Sequence, residues 1–110
     1  MEITVATLDQ ITVISLAGES DGKTAPVAQE RIAPLCQTGS RVLLDMSQVT
    51  YMSSAGLRLM LLVYRQASSV KATLALVGLS DDLKDTMSAT GFLTYFTVYD
   101  TVEAGRAALA

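Results

Sequence analysis

One succession near the middle of the chain restricts the fold more than anything else in it. Arg41-Val42-Leu43-Leu44 is a short apolar run with turn residues on both sides, Leu57 to Tyr64 is almost entirely apolar, and Lys71 to Val77 is again a short apolar run. Runs of this length and character are strands covered on both faces, and a helix so apolar must be largely enclosed. Two interior strands joined by one helix pair in parallel through a right-handed crossover. The expected units are a strand Arg41 to Asp45, a connecting loop to Ser53, a helix from Ser54 to about Ser69, and a strand from Lys71 to Val77. Met46, Val49, Tyr51 and Met52 give the loop an apolar element, so it is expected to pack down on the protein.

The flanking segments extend this unit. Glu2 to Leu8 and Ile11 to Ala17 alternate as strands do, and Asp9-Gln10 suits the tight turn of an antiparallel hairpin. Gly18-Glu19-Ser20-Asp21-Gly22-Lys23-Thr24 reads as a loop. Thr24 is placed to cap a helix with Pro26 in its first turn, carrying Val27, Ala28, Ile32, Leu35 and Cys36 inward, kinked or broken at Pro34 and ended by Gly39. Ser80 caps a third helix that presents Leu83 and Met87 inward and ends at Gly91. Phe96 to Tyr99 is a last strand, and Asp100-Thr101-Val102-Glu103 has the spacing of a capping box opening a terminal helix. The order is ββαβαβαβα, an α/β arrangement with a mixed sheet of four to five strands and about four helices. No internal repeat or linker divides the 110 residues, so one domain is expected.

Composition narrows the function. Half of the residues are hydrophobic and 17% charged, with a net charge of −3, so no basic surface exists for nucleic acid. There is no histidine, which removes Ser-His-Asp triads, Cys-His pairs and histidine-ligated metals. No phosphate loop, nucleophile elbow or cofactor fingerprint occurs, so neither enzymatic activity nor a cofactor is expected. Cys36 is the single cysteine, and it reads as a small buried hydrophobe in a reducing compartment. The longest apolar run, Leu59 to Tyr64, is far short of a bilayer's roughly 30 Å, and the first residues read as a strand. A cytoplasmic protein without membrane insertion is expected.

The remaining site is the junction from Asp45 to Leu57. Ser53 and Ser54 open the central helix, beside unpaired N–H groups and the positive end of the helix dipole. Serine is a preferred cap, so capping is the plain reading of the pair. An added phosphate would also be tolerated there. Asp45 and Ser47 suit an Asx-type turn, and Gly56 suits close packing of the helix start or close approach of a partner. Tyr51 and Met52 read as an apolar rim around Ser54 or as core. Arg58 and Lys23 could draw an anion to the helix start.

The element order, the loop Gly18-Glu19-Ser20-Asp21, the segment Asp45-Met46-Ser47-Gln48-Val49-Thr50-Tyr51-Met52-Ser53-Ser54-Ala55-Gly56-Leu57 and the tail from Gly91-Phe92 to Val98-Tyr99 resemble the STAS domain of bacterial anti-sigma factor antagonists. The resemblance spans essentially the whole chain. It implies a partner-switching protein that binds an anti-sigma factor with serine kinase activity when unphosphorylated, is released on phosphorylation, and is reset by a PP2C-type phosphatase. The family's phosphoacceptor position falls on Ser54, with Ser53 in place of the preceding aspartate and Ala55 at the second position of the triplet; Ser53 is then a competing acceptor. Asp21 matches an acidic residue of the family near the docking face. The partner-binding set so implied is Asp21, Ser53, Ser54, Ala55, Gly56 and Arg58. An alternative within the same fold is an interaction module of another assembly, stressosome-like or a lipid-transport ATPase, without a phosphoswitch. A monomer or weak dimer is expected, since the first strand leaves a sheet edge open.

Overall fold

The computed structural model describes residues 1–110. The amino-terminal hairpin forms as expected. Strand β1 (Glu2–Leu8) runs antiparallel to β2 (Ile11–Ser20), and the two turn residues, Asp9 and Gln10, both take positive φ, 52° and 66°. That pair of conformations matches the right-handed twist of the flanking strands.

Every later strand is parallel to β2. Strands β3 (Arg41–Met52), β4 (Thr73–Val77) and β5 (Thr97–Tyr99) complete a sheet in the order β1-β2-β3-β4-β5. Parallel neighbours need crossovers, and helices α1 (Ala25–Ile32), α2 (Ser54–Ser69) and α3 (Asp81–Ala89) supply them, followed by α4 (Val102–Leu109).

The two faces of the sheet are unequal. Ile14, Leu16, Val42, Leu44, Met46 and Leu76 pack with Ala28 and Ile32 of α1, Met60 and Val63 of α2, and Leu83 and Met87 of α3 in a cluster of 20 buried residues. Ile11, Val13, Leu43, Ala75 and Val77 form the opposite cluster of 5, closed by Val102 and Leu109 of α4. Each large side chain fully buried contributes about 1.5–3 kcal/mol, so the three-helix face dominates the stability. Arg41 Nη1 donates to the Leu109 carbonyl at 2.6 Å, and Arg106 pairs with Asp9, so α4 is tied to both β3 and the hairpin turn.

Several expectations are corrected. The segment from Met46 to Met52 is strand, not loop, and β2 continues past Ala17 to Ser20. The pairing steps from Ser15↔Asp45 to Ala17↔Gln48 and from Gly18↔Val49 to Glu19↔Tyr51, so β3 carries one extra residue at each irregularity. Each bulge shifts the alternation by one. Met46, Val49 and Met52 are therefore all buried at a spacing of three, a pattern that hides a strand from any search for period two.

Helix α1 stops at Ile32, and Ala33–Leu35 form a single 3-10 turn, the break foreseen at Pro34. Its buried residues are Ala25, Ala28 and Ile32, whereas Val27, expected to face inward, is 54% exposed. Thr24 occupies the cap position but its side chain makes no capping bond; its Oγ1 instead accepts from the Asp21 N–H and donates to the Glu19 carbonyl. At α4 the cap is Thr101, which accepts from the Ala104 N–H at 3.1 Å, not Asp100 as the capping-box spacing suggested. Strand β4 begins at Thr73, since Lys71 has φ 59°, and β5 begins after Phe96. Ser80 caps α3 and Gly91 follows it with φ 79°, both as expected.

Candidate functional site

The two bulges carry β3 beyond its other neighbours, and β2 follows it, so the sequence-predicted residues meet at one end of the sheet. Ser20 and Met52 are the last register pair, and the Ser53 N–H donates to the Ser20 carbonyl at 2.8 Å. The loop that begins at Asp21 and the start of α2 therefore leave the sheet side by side.

Ser53 has extended backbone geometry, φ −82° and ψ 178°, and its Oγ accepts from the Gly56 N–H at 3.3 Å. Ser53 is thus the cap of α2. Ser54, the first helical residue, is exposed and its hydroxyl takes no part in that bond. Ala55 is half-buried and Arg58, one turn along, is exposed.

Gly56 is buried. A Cβ at that position would lie 2.6 Å from both the carbonyl oxygen and Oγ of Ser20 and 2.8 Å from Met52 Cγ. Its glycine serves the close packing of α2 on the end of β2, which leaves it no outward face toward a partner. Ser20, itself 2% exposed, is the residue that sequence reasoning missed. It sits in a glycine-rich polar segment with no signal of burial, and only the extension of β2 reveals it.

Asp21 organises the loop. Its Oδ1 accepts from the N–H groups of Lys23 (2.9 Å) and Thr24 (3.1 Å), and its carbonyl accepts from the Ala25 N–H. The Thr24 N–H, then that of Lys23, stabilises the ionised carboxylate and holds its pKa below the ordinary aspartate value. Cys36 lies elsewhere, buried in the three-helix core, where loss of solvation raises its thiol pKa.

Two shallow grooves flank the helix start. One, about 300 Å³, is lined by Ser54, Leu57, Arg58, Leu61, Thr90 and Phe92; the other, about 240 Å³, separates α2 from α1 and includes Gly22, Pro26, Ala55 and Arg58. Tyr51 is 54% exposed, whereas Met52 is core, so only the tyrosine contributes to a rim. Asp45 and Ser47 do not join this site. Asp45 Oδ1 accepts from the Ser47 N–H at 3.0 Å, the turn expected of them, and both line a concavity with Gly78, Asp100 and Thr101. No helix is long and apolar enough to cross a membrane.

Comparison with known proteins fits this arrangement. The sequence profile of the STAS domain matches residues 2–105. The chain is 33% identical over 109 residues to BtrV of Bordetella bronchiseptica, a candidate anti-sigma factor antagonist by name, with 98% of this chain and 94% of that protein covered. It is 28% identical over 92 residues to the anti-sigma-B factor antagonist of Bacillus subtilis, covering 84% of each. Among solved structures, an anti-sigma factor antagonist from Mycobacterium paratuberculosis superposes with a TM-score of 0.86 at 24% identity, covering 98% of this chain and 92% of that one. The Bacillus cell fate determinant SpoIIAA in its phosphorylated form superposes with a TM-score of 0.74 at 18% identity, covering 99% and 100%.

Proposed function

This chain belongs to the STAS-domain family of anti-sigma factor antagonists, and on that premise we propose that it is a protein-binding switch rather than a catalyst. Unphosphorylated, it engages an anti-sigma factor that is also a serine kinase; phosphate on Ser54 ends the engagement, and a PP2C-type phosphatase restores it. The docking face comprises Asp21, Tyr51, Ser54, Ala55 and Arg58.

The observation that carries this reading is the division of labour between adjacent serines. Ser53 is committed to the Gly56 N–H, while the Ser54 hydroxyl is exposed and free of the cap. Modification of Ser54 thus leaves the helix capped. A phosphate there adds about −1.5 to −2 charges, and the helix dipole favours an anion near its start by roughly 0.3–1 kcal/mol. The fold accommodates the group, so its effect falls on the partner, where a new charge meets desolvation at the interface. Ser53, half-buried and engaged, is the poorer acceptor.

The test is incorporation of labelled phosphate by the cognate kinase. Ser54→Ala is expected to abolish labelling and Ser53→Ala to retain it. Undiminished labelling of Ser54→Ala would sink the assignment.

A further inference from the structure

The two grooves beside Ser54 share one charged side chain. Of all the residues that line them, only Arg58 bears a charge, and it is common to both. It is exposed and belongs to neither of the protein's two ion pairs, Lys84–Asp100 and Arg106–Asp9. No acidic residue lies in the first turn of α2 to engage it. Its position is four residues after Ser54, on the same helical face and in the same groove, a spacing at which oppositely charged side chains meet along a helix.

Resting on the reading of Ser54 as the modified residue, we propose that Arg58 is the internal counter-charge of the phosphate. The Arg58 side chain, which leans toward the start of α2 as helical side chains do, reaches back so that its guanidinium meets the phosphate on Ser54. The planar fork of arginine suits the phosphate oxygens in a way that a point charge does not. The switch then has two parts. Phosphorylation places an anion at the helix start and, in the same event, withdraws the one positive charge that the grooves offer to an acidic group of a partner.

The other charges nearby do not compete for this role. Asp21 and Lys23 lie in the loop before α1, where the Asp21 carboxylate is occupied by backbone N–H groups. Arg65 is on the same helix but eleven residues from Ser54, about 16 Å along the axis and beyond the reach of salt-screened attraction.

The experiment needs no kinase. Phosphoserine is placed at position 54 of the full chain by genetic incorporation, and the second ionisation of the phosphate is followed by 31P NMR against pH. A cation at contact favours the dianion, so the wild-type chain titrates below its Arg58→Gln variant. An (i, i+4) pair predicts a difference of about 0.3 pH unit, from its typical strength and the free energy of one unit. Arg58→Lys is expected to recover part of the difference, and Arg65→Gln to cause none. Coincident curves for the wild type and Arg58→Gln overturn the proposal, as does an equal shift for Arg65→Gln. Because the phosphoserine is incorporated during translation, without the kinase, failure here is separable from failure of Ser54 as the kinase's acceptor.

Discussion

Replacing Gly56 by alanine tests the packing on which the site depends. In an ordinary helix interior the change would stabilise by about 1 kcal/mol, since glycine is a poor helix former. Here the new Cβ would meet the Ser20 carbonyl oxygen and Oγ at 2.6 Å and Met52 Cγ at 2.8 Å. A methionine terminus can move, but the carbonyl belongs to β2 and already accepts from the Ser53 N–H at 2.8 Å. Relief therefore requires α2 to lift from the strand end, at an overpacking cost of about 1–3 kcal/mol and with loss of much of that hydrogen bond, about 1 kcal/mol. After the helix-propensity gain, a net loss of roughly 1–3 kcal/mol remains. For a chain of this size that corresponds to a fall in Tm of about 4–12 °C. Urea unfolding followed by circular dichroism measures it, with an unchanged m-value showing that the comparison is of like states. A midpoint at or above that of the wild type would refute the reasoning, because the start of α2 would then be free to shift without penalty.

Two further outcomes follow from the same geometry. Ser53→Ala removes the cap and is expected to lower stability by about 1 kcal/mol, whereas Ser54→Ala, which removes an exposed hydroxyl outside the cap, stays within about 0.5 kcal/mol of the wild type in the same unfolding assay; equal losses would mean that the serines share the capping role. Asp21→Asn is expected to destabilise the protein near neutral pH, because the native loop favours the ionised carboxylate. A depressed native pKa contributes stability that is present above the unfolded aspartate value of about 3.9 and disappears as pH falls through the lower native value. The gap between wild type and Asp21→Asn should therefore be constant from pH 7 to about 5 and narrow below pH 4; a gap that persists undiminished into strong acid would contradict this.

The regular elements were legible from local signals because their causes are local. Apolar runs of strand length, Ser80 as cap, Pro34 as breaker and Gly91 as a residue free to take positive φ each act over a few residues. Val27 shows the limit: its apolar character was read as inward-facing, yet α1 is short and its buried stripe is Ala25, Ala28 and Ile32, so the rotation of the helix on the sheet left Val27 in solvent. Thr24 and Thr101 show another. Side-chain hydroxyls within reach of several backbone groups choose among them by the path of the chain, which Asp21 sets at one site and Asp100-Thr101 at the other.

By itself, then, the order of residues determined a parallel α/β core, the serine pair at the head of α2 and the absence of any histidine for a Ser-His-Asp triad, a Cys-His pair or a histidine-ligated metal. Only the tertiary structure decided that the supposed loop after Asp45 is strand, since the two added residues of β3 are defined by what β2 offers opposite them. The same extension brought Ser20 beneath Gly56, set Asp21 beside the helix start and left Arg58 as the one charge in both grooves. Those facts depend on which residues of distant segments come into register. Register is an energy of pairing and packing between segments, and it is not written in either segment alone.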